Sequence, residues 1–316
     1  MSSETFEVAR PDGVNIFAKK WLPEGKPIGV VQIVTGMAEF VERYEHVAQA
    51  LNEAGYAVYG HDHRCQGNTA RTPQEMGKLG RGDWQRLVND MRALHDIAQK
   101  EHSGPPHFMY AHSMGSFLAQ TFLYTHPGTK RGVVLQGSES GRFWFWPVML
   151  PVSRLGRKFR GADAASRFVP KLQSILFNLK YTDKRTEFDW LNSDATVVDS
   201  YVADPRCGWT ASHGFWLEMA QGMLANGRAE NLRRISGETR LLLTCGSMDP
   251  MSDYGNALSR LEKQYRDIGL NHIETKQYEG MRHEIHNEPA RADVFRDLVR
   301  WMNEQQDGPE PSTELN

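Results

Sequence analysis

Short apolar runs alternate with longer helical patterns along most of the chain. The runs are apolar on both faces and rich in β-branched residues, as expected of parallel strands buried between helices. They lie at residues 29–35 (GVVQIVT), 56–61, 107–111, 132–136 and 240–245, and a strand at residues 272–278 (HIETKQY) would follow them. Amphipathic helical patterns lie at residues 44–54, 84–100, 114–124 and 291–303. The alternation predicts an α/β fold with a mostly parallel central sheet flanked by helices.

The spacing of the runs predicts how the chain is divided. About a hundred residues separate the run that ends at Gln136 from the run that begins at Arg240, far more than a crossover helix needs. We therefore expect a core of residues 1–136 and 237–304 with an inserted helical cap of residues 137–236. Residues 4–9 and 15–21 open the core as an antiparallel hairpin. Residues 305–316 are polar, contain two prolines and are predicted to be a disordered tail.

Charge and cysteine content exclude several classes of protein. The 37 Lys and Arg residues against 39 Asp and Glu residues leave no broad basic field for nucleic acid. Cys65, Cys207 and Cys245 form no CxxC pair, which argues against a disulfide framework or a zinc ribbon. Residues 1–20 lack a signal-peptide pattern, and the sequence has no apolar stretch of about 20 residues. We expect a cytoplasmic protein, and the oligomeric state stays open.

The pentapeptide Ala-His-Ser-Met-Gly at residues 111–115 connects a predicted strand to a predicted helix. A sharp turn in that position exposes a serine hydroxyl above the sheet edge, and small neighbours let strand and helix approach each other. Gly115 meets that need fully, and Ala111 meets it less well. Ser113 is therefore predicted to be the nucleophile of a serine hydrolase.

Serine is a poor nucleophile at neutral pH, so a histidine base and an orienting acid must accompany Ser113. Asp249 directly follows a buried strand and is predicted to be the acid, whereas Asp253 is better explained as a charge at the start of a helix. His283 follows the last strand and is predicted to be the base. His286 lies further from the strand end and is expected to form hydrogen bonds within its loop or to begin the following helical region.

An acyl transfer also needs donors for the oxyanion of the tetrahedral intermediate. The backbone amide of Met114 is one predicted donor, because it follows the nucleophile at a helix N-terminus. The second is the amide of Met37, in a loop that Gly36 allows to turn tightly after the first parallel strand. The mechanism that these residues imply requires no metal and no organic cofactor.

Several stretches together resemble the monoacylglycerol lipase and lysophospholipase branch of the α/β-hydrolases, also grouped as serine aminopeptidase-like (S33) hydrolases. Residues 35–44 (TGMAEFVERY) resemble the HGxxEHxxRY loop of that branch, and residues 61–69 (HDHRCQGNT) resemble its DxRGHGxS segment. Residues 201–207 (YVADPRC) resemble its YxxDP element, and residues 283–288 match HExxNE. The resemblance covers nearly the whole chain. It implies an α/β-hydrolase that cleaves a monoacyl lipid ester, either a monoglyceride or a lysophospholipid.

Some positions differ from the pattern of that branch. Thr35 and Phe40 stand where histidines are usual, Ala111 replaces a glycine, and Cys65-Gln66 replaces Gly-His. These changes spare the predicted triad and oxyanion donors but alter the polarity around the acyl pocket, so they affect substrate identity more than reaction type. An iminopeptidase or other amidase with the same triad, and a non-catalytic binding module, remain alternatives.

Two further clusters of side chains are open to a functional interpretation. Phe143, Trp144 and Trp146 lie in the predicted cap and are candidate substrate-binding residues, with a possible peripheral contact to a membrane. The alternative is that these aromatic side chains only pack the cap against the core. A metal site at residues 61–63 (His-Asp-His) is disfavoured, because alternate residues of a continuing strand point to opposite faces.

Overall fold

Eight strands form one sheet in the computed structural model, which describes residues 2–166, 168–182 and 184–306. The strands are β1 Ser2–Ala9, β2 Asn15–Leu22, β3 Gly29–Val34, β4 Tyr56–His61, β5 His107–His112, β6 Gly132–Gln136, β7 Arg240–Gly246 and β8 Ile273–Tyr278. The helices are α1 Glu45–Glu53, α2 Asp83–Glu101, α3 Met114–Thr125, α4 Phe145–Arg160, α5 Phe168–Phe177, α6 Ala195–Ala203, α7 His213–Asn226, α8 Ala229–Leu232, α9 Asn256–Arg266 and α10 Arg291–Glu304. The predicted strands and helices are all present, which confirms the α/β fold.

The strand order determines where on the sheet a ligand would bind. The order is β1-β2-β4-β3-β5-β6-β7-β8, and β3 to β8 run parallel, whereas β2 is antiparallel to both of its neighbours, β1 and β4. Because β4 and β5 pair with opposite sides of β3, the direction of winding reverses there. Ligands of open α/β sheets bind outside the carboxyl ends of the strands at such a point. The predicted triad residues all follow the carboxyl ends of parallel strands.

Alternate residues of the central strands pack into two layers of helices. On β5, Phe108 and Tyr110 lie in the cluster that includes α1 and α10, whereas Met109 and Ala111 lie in the cluster of α2, α3 and α9. All four side chains are fully buried. Burial on both faces explains why these strands appear in the sequence as continuous apolar runs.

Helices α4 to α8 lie between β6 and β7, within the stretch predicted to form a cap; we call this stretch the insertion. Its two ends are close, since a Cβ on Gly141 would lie 2.4 Å from the backbone nitrogen of Gly227. Inside it α4 packs closely on α7, where a Cβ on Gly156 would lie 2.2 Å from Nδ1 of His213. Across the described ranges, no helix combines the length and the apolar character needed to cross a bilayer.

The carboxyl-terminal end of the described chain is attached to the core. After α10, the side chain of Gln306 donates a hydrogen bond to the hydroxyl of Tyr56 at 2.9 Å. The rest of the predicted tail, residues 307–316, lies outside the described residues.

Candidate active site

Ser113 occupies the turn between β5 and α3 with a backbone φ of 52° and ψ of −123°. A positive φ is costly for a residue with a side chain and is found mainly where function demands it. The turn is held by the Ser113 amide, which donates to the carbonyl of Gln136 at 2.9 Å. Two residues later a Cβ on Gly115 would lie 2.3 Å from the carbonyl oxygen of Val34, so only glycine lets α3 approach β3 this closely. The geometry is that of a nucleophile elbow.

Asp249 lies in the loop that follows β7 and is completely buried. Its carboxylate accepts hydrogen bonds from the Met251 amide at 2.9 Å and from the Ser252 hydroxyl. Burial by itself would raise the pKa of this carboxyl group, but the neighbouring His283 and these hydrogen bonds lower the pKa below its ordinary value. Asp249 is therefore a buried, ionised carboxylate whose position is fixed.

His283 follows β8 and is buried beside Asp249. Its Nδ1 lies 2.9 Å from Oδ1 of Asp249, which fixes the tautomer that carries the proton on Nδ1. Burial opposes protonation of the ring, yet the charge of Asp249 raises the pKa of His283 above its ordinary value. Within the described ranges, Nε2 of His283 has no hydrogen-bond partner, so it is free to accept a proton.

Gln136, the last residue of β6, joins the nucleophile loop to the histidine loop. Its backbone carbonyl accepts from the Ser113 amide, while its side-chain amide donates to the carbonyl of His283 at 2.6 Å. The next residue, Gly137, has a φ of 59°, and a Cβ there would lie 2.8 Å from Cε1 of His283. A substituent at position 137 would displace the imidazole. No hydrogen bond between Ser113 and His283 is present among the described residues, as is common before a substrate is bound.

The loop after β3 is folded so that one amide stays unpaired. The amide of Gly36 donates to the Glu39 carboxylate, and the amide of Ala38 donates to Oε1 of Gln66 at 2.9 Å. In the described part of the chain, the Met37 amide between them donates to no acceptor. A Cβ on Gly36 would lie 3.1 Å from the Cβ of Ser113, so this loop borders the nucleophile.

The second predicted oxyanion donor lies at the start of α3. Met114 is the first residue of that helix, and amides of a first helical turn have no acceptor within the helix. The partial positive charge of the helix N-terminus adds to its capacity to bind an anion.

A buried network of charged residues supports the loop after β3, and the sequence reasoning did not identify it. Oε1 of Glu39 lies 2.9 Å from Nδ1 of His112 and accepts from the Tyr44 hydroxyl at 2.6 Å. Arg43 binds Glu39 at 2.9 Å and Glu284 at 2.7 Å, and thereby links this loop to the residue after His283. Burial would raise the pKa of Glu39, but these partners lower it to about 2.

The His286 ring forms its hydrogen bond with the core and not, as expected, within its own loop. Its Nδ1 lies 3.1 Å from Oε1 of Gln136, and its ring stacks on Tyr44 with centroids 4.7 Å apart. Burial and the neighbouring His112 lower the pKa of His286 well below its ordinary value, so the ring stays neutral. Ligand atoms of Glu39, His112 and His286 lie within 4.8 Å of one another. Glu39 and His112 bond to each other and His286 bonds to Gln136, so each of the three side chains already has a hydrogen-bond partner.

The geometric premise used against a metal site at residues 61–63 was wrong. β4 ends at His61, so strand alternation stops there, and the rings of His61 and His63 meet edge to face with centroids 4.8 Å apart. Burial lowers the pKa of both rings. Asp62 between them binds neither ring and instead accepts from the amides of Val41 and Asn68, at 2.6 and 2.7 Å.

The three aromatic residues predicted to bind substrate lie in three environments. Trp146 is buried and packs edge to face on Phe117, with centroids 5.6 Å apart. Phe143 is half-buried under the guanidinium of Arg260, whereas Trp144 is 68% exposed. The rings of Phe143 and Trp144 lie 5.6 Å apart, centroid to centroid, and a role of the three side chains in substrate binding stays a prediction.

The sequence matches the model of the family described as serine aminopeptidase, S33, over residues 25–290. The chain belongs to this family. It is 27% identical to a monoacylglycerol lipase of Mycolicibacterium smegmatis, over 92% of this chain and 93% of that relative. It is 28% identical to a monoglyceride lipase of Homo sapiens, over 93% of this chain and 88% of the human protein.

A solved structure gives the same result for the fold. A thermostable carboxyl esterase from Bacillus coagulans, in complex with glycerol, superimposes with a TM-score of 0.88 at 28% identity, over 97% of this chain and all of that chain. Together these similarities confirm the α/β-hydrolase fold and the branch that contains monoacylglycerol lipases. The chain is a serine hydrolase.

Proposed function

We propose that this S33-family hydrolase cleaves the ester bond of monoacyl lipids through an acyl-enzyme on Ser113. The observation that supports this most directly is the pair of His283 and Asp249 with a free Nε2, held next to a strained serine by Gln136. The relatedness to lipases that act on monoacylglycerols favours a monoglyceride, and a lysophospholipid is the nearest alternative.

In the first half of the reaction, the hydroxyl of Ser113 attacks the ester carbonyl while Nε2 of His283 takes its proton. The carbonyl oxygen becomes an oxyanion that the amides of Met37 and Met114 bind. Asp249 stabilises the imidazolium that forms. The C–O bond to the glycerol then breaks, and His283 returns the proton to the leaving alkoxide, which leaves the acyl group on Ser113.

In the second half, water takes the place of the alcohol. Nε2 of His283 removes a proton from this water, which attacks the acyl carbonyl. The same two amides bind the second oxyanion. Collapse of that intermediate releases the fatty acid and returns the proton to Ser113.

The test is hydrolysis of a panel of 1-monooleoylglycerol, lysophosphatidylcholine, p-nitrophenyl esters and aminoacyl p-nitroanilides, with Ser113→Ala as the control. We expect hydrolysis of a monoacyl lipid that falls by at least about 10³-fold in Ser113→Ala. A fluorophosphonate should label Ser113, as read by mass spectrometry of the tryptic peptide. Faster cleavage of the anilides would contradict the ester assignment, and a folded protein without a Ser113 adduct would favour a binding module.

The aminopeptidase alternative is less well supported by the charges around the triad. An aminopeptidase must bind the substrate's amine with a free carboxylate. The buried carboxylates of Glu39 and Glu284 lie next to the triad loops, but both are paired with Arg43. Binding an amine there would require the guanidinium to give up its partners.

We also propose that α4 of the insertion rests on a lipid surface. Helix α4 and the residue before it expose a row of apolar side chains at helical spacing: Trp144, Val148, Val152, Leu155 and Phe159. Helix α4 also carries four basic and no acidic side chains: Arg154, Arg157, Lys158 and Arg160. An amphipathic helix of this kind binds an interface by burying its apolar face while its cations contact anionic headgroups.

The double variant Leu155→Asp/Phe159→Asp tests the lipid contact. We expect its binding to phosphatidylglycerol-containing vesicles, measured by sedimentation, to be at least about tenfold weaker, since each apolar side chain contributes about 2 kcal/mol. Ile28→Asp is the matched control, because Ile28 is equally apolar and 47% exposed but directly precedes β3, outside the insertion. Equal binding of the double variant and the control would contradict the proposal.

A further inference from the structure

A short segment of the insertion lies directly on the catalytic histidine loop. The 3-10 turn Asp189–Leu191 crosses that loop, and the amide of Glu284 donates to the carbonyl of Leu191 at 2.8 Å. The amide of His283 donates to the carbonyl of Trp190 at 3.4 Å. The backbone that carries the general base is therefore bonded to the insertion as well as to the core.

Side chains reinforce this attachment from both directions. The guanidinium of Arg282 donates to the carbonyl of Asn192 at 3.0 Å and also to that of Asp189. The carboxylate of Glu288 accepts from the amides of Ser193 and Arg282, at 3.0 and 2.9 Å, and from the Ser193 hydroxyl. These bonds hold the segment against residues on both sides of His283.

One aromatic side chain of this segment contacts the imidazole itself. The Trp190 ring lies 4.9 Å from the His283 ring, centroid to centroid, and Phe177 of α5 packs edge to face on Trp190 at the same separation. From the core, the His112 ring lies 4.7 Å from that of His283. Gly137 closes a third side, as described above. Trp190 is thus a side chain of the insertion that packs directly against the His283 ring.

We propose that Trp190 is a positioning residue for the general base and that its indole keeps the His283 ring in the orientation that serves Ser113. This role rests on the proposed hydrolysis at Ser113 and adds to it. The insertion then contributes to the chemical step through one side chain, besides any part it takes in binding the lipid.

The physical reason is the mode of attachment of the imidazole. The bond to Asp249 fixes Nδ1, but a single hydrogen bond leaves the ring free to tilt about it, and a small displacement of a reacting group can cost about 100-fold in rate. A large rigid neighbour restricts that tilt. An indole within about 6 Å of an imidazolium also stabilises the charge that His283 acquires during attack.

The test compares Trp190→Leu with Trp190→Phe on p-nitrophenyl acetate, an ester too short to need the acyl pocket. We expect kcat to fall about 10- to 100-fold in Trp190→Leu with KM within about twofold, because the positioning is lost and binding is not. Trp190→Phe keeps a ring and should stay within about threefold of the wild type. Trp190→Met, which conserves volume without a ring, replaces the leucine variant if that variant fails to fold.

Phe188→Leu is the matched control. Phe188 directly precedes the 3-10 turn, but its ring packs on Tyr201, at 5.2 Å, and among the described residues it forms no ring contact with His283. We expect its kcat to be unchanged. An equal loss of kcat in Phe188→Leu would show a general structural effect and overturn the proposal, as would a rise in KM with unchanged kcat in Trp190→Leu.

The pH profile supplies a readout that a purely structural role would not move. The titratable groups that face His283 are Asp249, Glu284, Glu39, His112 and His286, and Trp190→Leu changes none of them. Loss of the indole disfavours the imidazolium, so the acidic limb of kcat/KM should shift down by about 0.3–0.7 pH units. An unshifted limb together with unchanged kcat would refute the role.

The acetate assay also separates this inference from the proposed function. A wild type that cleaves the acetate ester but no monoacyl lipid contradicts the lipid substrate and leaves the comparison of Trp190 variants readable. A wild type active on both, with Trp190→Leu unchanged, contradicts only the positioning role. A wild type without Ser113-dependent hydrolysis contradicts both.

Discussion

The carboxyl edge of the sheet and the insertion hold their residues by different means. At the edge, strand ends and turns fix each position: Ser113 has a strained φ, and Gly115 allows a helix to touch a neighbouring strand. On the segment of the insertion around Trp190, side chains of the core, those of Arg282 and Glu288, add to the backbone hydrogen bonds. Backbone geometry leaves little freedom, whereas contacts between side chains can be exchanged.

This difference suggests a division of roles between the sheet edge and the insertion. Changes at the sheet edge should affect the chemical step, because the reacting groups have no alternative position. Changes in the insertion should affect substrate range or stability, with Trp190 as the proposed exception. The following variants test that division, beginning with the largest effect.

Asp249→Asn should lower kcat by about 10⁴-fold, because an amide favours the wrong tautomer of His283 and cannot stabilise the imidazolium. Asp253→Asn is the control in the same loop. Asp253 pairs with Arg260 at 2.9 Å on the surface, and its variant should retain kcat within about twofold. Steady-state kinetics on a p-nitrophenyl ester measure both. A large loss in Asp253→Asn with an active Asp249→Asn would reverse the assignment of the acid.

The sheet edge could be predicted from the sequence because local patterns determine it. The buried runs specify where strands end, and a serine between a strand and a helix next to Gly115 has few structural alternatives. Asp249 and His283 were predicted from their positions after predicted strands. Each of these inferences needs only residues that are close in sequence.

The supporting residues could not be predicted, because their partners are distant in the chain. Glu284 meets Arg43 across 241 positions, and the amide of Gln136 meets the His283 carbonyl across 147. Glu39 follows an apolar strand in a glycine-containing loop, and this position is a signal that could have pointed to a partner, since an isolated buried charge is costly. Trp190 has no local signal of any kind.

The environments of the aromatic residues at the start of the insertion could not be predicted either. Phe143, Trp144 and Trp146 are nearly consecutive, which suggested one shared role. Phe143 and Trp144 precede α4 and only Trp146 lies within it, and the three side chains are half-buried, exposed and buried in that order. Proximity in sequence did not give them the same burial.

Gln66→Leu should lower kcat by about 10- to 100-fold with little change in KM. Gln66 bridges the loop after β3, where it accepts from Ala38 and donates to the Gly36 carbonyl at 3.0 Å. Without both bonds the Met37 amide between them loses its orientation, and one oxyanion donor contributes roughly 3 kcal/mol.

The control is Gln66→His, which restores the residue usual in related hydrolases. It should retain kcat within about fivefold. A Gln66→Leu variant with normal kcat would mean that the two hydrogen bonds of Gln66 do not orient the Met37 amide. The residues at the sheet edge would then be held less rigidly than we propose.

Glu218→Ala should lower the free energy of unfolding by about 2 kcal/mol and leave kcat unchanged. Glu218 of α7 is buried and accepts from the amides of Gly82 and Trp84, at 3.0 and 3.2 Å, so the insertion caps the N-terminus of α2. Gly82 has no side chain for this purpose, and uncapped buried amides are costly. Urea denaturation measures the effect, and Glu218→Gln, which keeps an acceptor oxygen, should lose about half as much. A fall in kcat without loss of stability would contradict the division between edge and insertion.

Cys65 provides the smallest effect and the finest test of backbone control at the edge. It has a φ of 64° in the loop that leads to Gln66, at a position where related hydrolases usually have glycine. A residue with a side chain pays about 1 kcal/mol in this left-handed region, which glycine avoids. Because Cys65→Gly and Cys65→Ala both remove the thiol, their difference isolates the backbone. We expect the glycine variant to be the more stable by about 1 kcal/mol in urea denaturation, the reverse of the usual order of these two residues. Equal stability would mean that the loop relaxes around a side chain, and that its conformation is set by Gln66 and its partners instead of by the backbone at position 65.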